Sequence, residues 1–205
     1  MALTRKTMRP NDYALRFGKR DKDGSRALPR IVTRKPRTGD IHPLTRATIS
    51  NYLLMVPPAY VYGLKAVELR PRKDAVGCPY GLYSRDEKRI WLYSCPSREW
   101  RFSKEIWSRH KGLLARGAQI VTSDDPSNDV VVEWNDPFDI EVQFANVLLH
   151  ELGHHYVNQY KSSRGTPATR SRNEAVADVH VTKLGQHIHA CLDLIKIRRA
   201  ERGGA

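Results

Sequence analysis

The pattern of apolar positions along the chain predicts four helices with short strands between them. The helices cover about residues 45–55, 97–110, 137–160 and 172–188. In each of them, apolar side chains recur three or four positions apart, which places them on one face of a helix. Pro57 ends the first helix and Pro137 opens the third, because proline fits the first turn of a helix and breaks its interior.

Short runs of apolar and alternating residues predict five strands. They lie at 66–69, 80–83, 89–93, 119–122 and 130–134. The second and third strands flank the polar turn 84–88, an arrangement typical of a β-hairpin. A helix followed by a small set of strands and then by two further helices is typical of an α+β domain.

Length and composition indicate one folded domain. The chain has 205 residues, of which 40% are hydrophobic and 28% charged, enough for a single full-sized core. No apolar run approaches the roughly 20 residues of a membrane-spanning helix, and no apolar segment follows the basic N-terminus, so we expect neither membrane insertion nor secretion. Cys78, Cys95 and Cys191 form no CxxC pair. So sparse a set is typical of a reducing compartment, and we expect a cytoplasmic protein.

The positive charge lies at the two ends of the chain. Residues 1–40 hold twelve Lys and Arg against four Asp, which is +8 of the net charge of +13. We expect a basic, disordered N-terminal tail at 1–42, a folded domain at 43–195 and a basic C-terminal tail at 196–205. Such ends either bind nucleic acid or an acidic partner, or remain solvated tails.

The segment His150-Glu151-Leu152-Gly153-His154 carries the strongest chemical signal, and it lies in the third predicted helix. Residues four apart on a helix are about 40° apart in projection, so His150 and His154 face one point. Two imidazoles at this spacing can ligate one Zn²⁺, and Glu151 lies where it can take a proton from a metal-bound water. Glu151 also falls within the apolar stripe of the helix, where an unpaired carboxylate is costly.

A second pair of acids extends this site. Glu174 follows His154 by twenty residues, and Glu174 and Asp178 are four residues apart in the last predicted helix. With Glu174 the set becomes two imidazoles and one carboxylate, which leaves a fourth position on zinc for water, as catalysis requires. Asp178 is either an acceptor that fixes the tautomer of a ligating histidine or an acid on the helix surface.

The segments HELGHH and NEAVAD resemble the gluzincin metallopeptidases, the thermolysin-like clan. In that family HExxH supplies two ligands and the general base, and an Asn-Glu-x-x-Ser/Ala-Asp segment supplies the third ligand and an Asp behind it. The match covers 150–178, and the helix and hairpin upstream are similar to small gluzincin-like domains, including the ImmA/IrrE type. The metzincin pattern needs Gly and His where this chain has Val157 and Tyr160.

The resemblance implies a zincin-like fold, with a small, mostly antiparallel sheet packed on an active-site helix and a second ligand-bearing helix. It implies a zinc endopeptidase in which His150, His154 and Glu174 hold Zn²⁺. Glu151 would activate the metal-bound water for attack on a peptide bond of the substrate. The resemblance also implies that the strand 89–93 binds the substrate backbone as an added strand.

Large gluzincins stabilise the transition state with a His and a Tyr downstream of the Glu ligand. Candidates for these two roles here are His187, His189, Tyr156 and Tyr160, and for each of them a core or surface role is favoured. An alternative function belongs to another class: a nucleic-acid-associated binding protein with a structural or catalytically silent zinc site. Its motivation is the basic ends, and Asp178 or His180 would then act as an extra ligand.

Overall fold

The computed structural model describes residues 28–73, 80–97, 99–108, 110–121, 130–161 and 174–185. The strands are β1 (Arg30–Thr33), β2 (Asp40–Ile41), β3 (Ala66–Arg70), β4 (Gly81–Ser84), β5 (Arg89–Tyr93), β6 (Cys95–Pro96), β7 (Trp100–Phe102), β8 (Ala118–Val121) and β9 (Val130–Trp134). The α-helices are α1 (Arg46–Met55), α2 (Pro58–Val61), α3 (Lys104–Trp107), α4 (Pro137–Lys161) and α5 (174–185), and a 3₁₀-helix covers Lys111–Arg116. The class is mixed α+β with small sheets, as the sequence predicts.

The largest described sheet has the strand order β1-β3-β5-β4. β1 pairs with β3 and β3 with β5 in parallel, and only the edge strand β4 runs antiparallel, beside β5. The prediction of a mostly antiparallel sheet is therefore wrong for this sheet, although the predicted hairpin of β4 and β5 is confirmed. β1 and β3 can pair in parallel because α1 and α2 form the crossover connection between them. β3 and β5 are parallel because the chain passes from β3 to the edge strand β4, reverses, and returns as β5 between them.

The helix predicted at 97–110 is wrong over most of its length. β7 crosses this segment and pairs with β9, which also pairs with β8, in an antiparallel sheet of order β7-β9-β8. Trp100 and Phe102 are buried while Arg101 between them is exposed, so the local period is two and not 3.6. Ser103 then caps the short helix α3, with its hydroxyl accepting from the backbone N–H of Ile106.

The N-terminal boundary of the domain lies before residue 42. β1 pairs with β3 along its whole length, and β2 pairs with β6. The side chain of Ile31 is buried, at 8% exposure, within the hydrophobic core. The expectation of a tail over 1–42 is thus wrong for residues 28–42, because four residues suffice for a strand when its neighbour supplies the hydrogen bonds. Residues 1–27 and 196–205 lie outside the described part of the chain.

Helix α4 runs alongside the main sheet and carries the predicted site. It is 25 residues long, and it contacts β4, β5 and α2. Its buried face includes Phe144, Leu148 and Leu152, each at 1% exposure or less. The helices predicted at 45–55 and 137–160 are confirmed, and the described part of 172–188 is helical. None of the described helices combines the length and the apolar content that crossing a membrane requires.

Candidate metal centre

Helix α4 brings two imidazoles to one point. His150 and His154 are one turn apart, with ring centroids 4.6 Å apart and ring planes at 89°. The two Nε2 atoms lie 3.0 Å from each other. The apolar face of α4 is fixed against the sheet, so the histidines project from a rigid support at the edge of that face.

Helix α5 adds a carboxylate to the pair. The Oε2 atom of Glu174 lies 3.1 Å from Nε2 of His150 and 3.4 Å from Nε2 of His154. One ligand atom from each of the three residues lies within 4.8 Å of the others. The structure therefore brings together the two imidazoles and the carboxylate that the sequence selects.

The spacing of these atoms suits zinc. Bonds of about 2.0–2.1 Å in tetrahedral geometry hold two ligand atoms about 3.3 Å apart. The three separations in this site run from 3.0 to 3.4 Å. Two imidazole nitrogens and one carboxylate oxygen are also a donor set that zinc takes in hydrolytic sites. The residues present therefore fit a zinc ion.

Asp178 fixes the orientation of one histidine. Its Oδ1 atom lies 3.0 Å from Nδ1 of His150, one turn of α5 after Glu174. When Nδ1 donates its proton to this carboxylate, Nε2 is the unprotonated nitrogen that can bind a metal. Helix α5 thus supplies two carboxylates: that of Glu174 lies beside the two Nε2 atoms, and that of Asp178 contacts Nδ1 of His150.

Glu151 lies next to the three ligands but is buried, at 7% exposure. Burial raises the pKa of Glu151 to about 7, while the nearby His150 and a hydrogen bond from the backbone N–H of Tyr83 act to lower it. Gly81 of β4 packs directly on this helix turn, since a Cβ there would lie 2.5 Å from Cγ1 of Val147 and 3.1 Å from Cγ of Glu151. The edge strand thus passes directly over the carboxyl group.

Gly153 allows α4 and α5 to approach closely. A Cβ at this position would lie 3.1 Å from both the Cα and the carbonyl oxygen of Ala177. Ala177 is itself fully buried, and it lies between Glu174 and Asp178 on α5. The contact of two small residues therefore sets the distance between the histidines and the acids.

An aromatic cluster of Tyr60, Tyr156 and His180 also joins α4 and α5. The hydroxyl of Tyr60 lies 2.6 Å from Nδ1 of His180, and the rings of Tyr60 and Tyr156 stack at 4.5 Å. Nδ1 of His180 is therefore hydrogen-bonded to Tyr60 of α2, and His180 is not among the residues grouped as metal ligands. His155 is also structural, because it is fully buried, with Nε2 2.8 Å from the carbonyl oxygen of Tyr62.

A cleft of about 330 Å³ opens beside His150 and Glu151. One wall, the helical wall, consists of α4 and α5 residues: Gln143, Asn146, Val147, His150, Glu151, Asp178 and Val181. The remaining residues, the second wall, come from other elements: Tyr80, Gly81, His110 and Arg116. Sequence reasoning missed the second wall entirely. No local spacing marks it, because its members come from two separate segments.

The sequence candidates for transition-state stabilisation do not lie in this cleft as far as it is described. Tyr156 stacks on Tyr60 and contacts the tilted ring of His180. The side chain of Tyr160 is outside the described residues, as are His187 and His189. His110 does line the cleft. Its ring stacks on Phe102 at 5.0 Å, and its Nδ1 lies 2.9 Å from the carbonyl oxygen of Ile106.

The substrate strand expected from the resemblance must also be corrected. β5 has β3 on one side and β4 on the other, so its backbone groups are occupied and it cannot accept an added strand. β4 is the edge of the sheet, and it is also the strand next to Glu151. An added strand would have to pair with β4.

Comparisons with protein-family models, with curated proteins and with solved structures find no match for this chain. The function is therefore inferred from the geometry of the site alone.

Proposed function

We propose that this protein is a zinc-dependent metallopeptidase of gluzincin type with a zincin-like fold. One observation carries the proposal: ligand atoms of His150, His154 and Glu174 lie within 4.8 Å of one another, and His150 and the buried Glu151 line a cleft. A bound zinc ion would polarise the peptide carbonyl and lower the pKa of a water molecule at that point.

Glu151 then acts as the general base. Its carboxylate takes a proton from the water whose oxygen attacks the carbonyl carbon, and it gives that proton to the amine nitrogen as the C–N bond breaks. The backbone N–H of Tyr83 donates to the carboxylate, which holds Glu151 beside β4. Asp178 holds the ring of His150 in the tautomer that leaves Nε2 for the metal.

The edge strand β4 supplies the binding surface for an extended peptide. Its outer side has no strand partner among the described residues, and it lies over Glu151. The backbone of a peptide added there would form hydrogen bonds with β4, and one of the peptide carbonyl groups would lie next to the three ligands. Backbone pairing of this kind recognises peptides without fixing their sequence.

Two observations favour a catalytic site over the structural or silent zinc site of the nucleic-acid-binding alternative. Among the described residues, Asp178 lies behind His150 and His180 is bonded to Tyr60, so neither closes the coordination sphere. A structural site has four protein ligands and no use for a base. Glu151, in contrast, is buried beside the ligands at the cleft, where a general base would act.

The test combines metal content with hydrolysis. Elemental analysis of protein expressed in zinc-replete medium is expected to give about one zinc per chain. A fluorogenic peptide library should be cleaved by the parent protein. Glu151→Gln should keep the zinc and lose roughly 10²-fold or more in rate, because the amide keeps the shape and lacks the basic oxygen. Protein without zinc, or a Gln variant as active as the parent, contradicts the proposal.

A further inference from the structure

Arg116 is a cation held in the second wall of the cleft. It ends the 3₁₀-helix, which is anchored by the buried side chain of Leu113. Its Nη1 donates to Oε1 of Gln143 at 2.6 Å, and Gln143 is 5% exposed. A buried amide on α4 therefore fixes the guanidinium at the cleft, so Arg116 is not an arbitrary surface charge.

The guanidinium keeps donors for a further partner. The bond to Gln143 uses Nη1, so the edge formed by Nε and Nη2 can take a carboxylate with two parallel hydrogen bonds. Within the described part of the chain, no carboxylate lies in ion-pair distance of Arg116, although several other arginines have such partners. The fixed fork therefore suits a carboxylate brought by a ligand.

The helical wall determines where such a carboxylate can lie. Near the ligands the cleft presents Glu151 and Asp178, and these acids disfavour a second negative charge there. Gln143 and His150 lie seven residues apart on one face of α4, about 10 Å along its axis. An extended peptide advances about 3.3 Å per residue. A carboxylate on Arg116 would thus be about three residues from a carbonyl at the three ligands.

We propose that Arg116 selects peptides that carry a carboxylate about three residues from the cleaved bond, on an acidic side chain or at a free C-terminus. This inference rests on the proposed peptidase function. Arg116 is a specificity-determining residue in it, because it binds substrate away from the reacting atoms. The energy of the bidentate pair lowers KM for such peptides and leaves the chemistry at Glu151 unchanged.

The experiment uses positional peptide libraries. Amidated peptides without other charges, labelled with the uncharged dansyl group, carry a single Glu at each position in turn, and a matched set carries Gln. A third set has Gln and a free C-terminus. Cleavage gives kcat and KM for each peptide. Fluorescence anisotropy with zinc-loaded Glu151→Gln protein gives Kd without hydrolysis, so binding is read independently of turnover.

We expect a carboxylate at one position to raise kcat/KM roughly tenfold or more over its neutral match. Arg116→Gln should remove this preference through KM, and Arg116→Lys should keep part of it. Arg116→Glu should reverse the preference towards peptides with Lys at that position. Lys111→Gln is the matched control, since it loses one charge from the same 3₁₀-helix but does not line the cleft.

The sets identify the source of the carboxylate. A preference for internal Glu assigns it to a side chain, and a preference for the free terminus assigns it to the chain end; both support the inference. Cleavage without any carboxylate preference, or a preference that survives in Arg116→Gln, overturns the inference and leaves the peptidase function intact. Failure of the zinc-loaded parent to cleave or bind any peptide overturns the proposed function and, with it, this inference.

Discussion

The two walls of the cleft are held in different ways. In the helical wall, His150 and Glu151 lie on the same helical turn that ends at the ligand His154, and α5 brings its acids to them through the contact of Gly153 with Ala177. In the second wall, His110 depends on the ring of Phe102, and Arg116 depends on Gln143 of a different element. Residues within one helix keep their relative positions whatever surrounds them, whereas the second wall exists only when the sheets and α4 are assembled.

The two walls also differ in their proposed roles, which are catalysis for one and substrate selection for the other. The helical wall, together with the adjoining His154 and Glu174, carries the groups proposed to hold zinc and move a proton. The second wall carries the ring and the guanidinium that a substrate would meet away from those groups. Substitutions of the three ligands or of Asp178 should therefore change metal binding, and substitutions in the second wall should leave it intact.

The largest expected effect comes from removing a ligand. His154→Ala should lower the zinc content from about one per chain to background, because two ligands at one edge do not hold a catalytic zinc ion. Elemental analysis and a chelator competition measure this loss. Circular dichroism of the variant should match that of metal-free parent protein. If His154→Ala binds zinc as tightly as the parent, the assignment of the three ligands is wrong.

A smaller loss of zinc affinity is expected from changing Asp178, which contacts the ligand His150. Asp178→Ala removes the partner of Nδ1 of His150, and zinc affinity should fall roughly ten- to hundredfold. Asp178→Asn should recover part of it, since the amide oxygen can still accept the hydrogen bond. Competition with a fluorescent chelator gives the affinities. Equal affinity in all three proteins would reduce Asp178 to a surface acid.

The contact between α4 and α5 gives the next test. Gly153→Ala places a Cβ 3.1 Å from backbone atoms of Ala177, so α5 must shift by a few tenths of an ångström. Overpacking of this kind costs about 1–3 kcal/mol, and zinc affinity should fall with it. Gly112→Ala is the control, because a Cβ there has no atom within 4 Å. Urea unfolding and zinc titration compare the two variants, and equal behaviour would show that the close approach is unimportant.

The smallest effect on the metal is expected in the second wall. His110→Ala loses the stacking on Phe102 and the hydrogen bond to Ile106, worth about 1–2 kcal/mol of stability together. Zinc content and zinc affinity should equal those of the parent. Thermal unfolding of the zinc-loaded proteins and the chelator competition provide both readouts. A loss of zinc in His110→Ala would show that the two walls are not independent.

The sequence predicted the elements with a clear period or a clear turn. α1, α4 and the hairpin of β4 and β5 lie within a few residues of their predicted bounds. It failed at 97–110, where Trp100, Ile106 and Trp107 suggest one helix, but β7 covers Trp100–Phe102 and only a short helix follows it. Pairing with β9 decided that local structure, and a partner thirty residues away leaves no mark on a short window of sequence.

The sequence by itself determined the spacing of the candidate ligands, since i and i+4 on a helix face one way and both ligand-bearing segments are helical. Only the tertiary structure decided that α5 lies against α4 with Glu174 3.1 Å from His150. It also decided that β4 and not β5 is the free edge, that β1 joins the sheet, and that Arg116 reaches the cleft. Periodicity fixes directions within one element, whereas the choice of neighbours depends on packing between segments far apart in the chain.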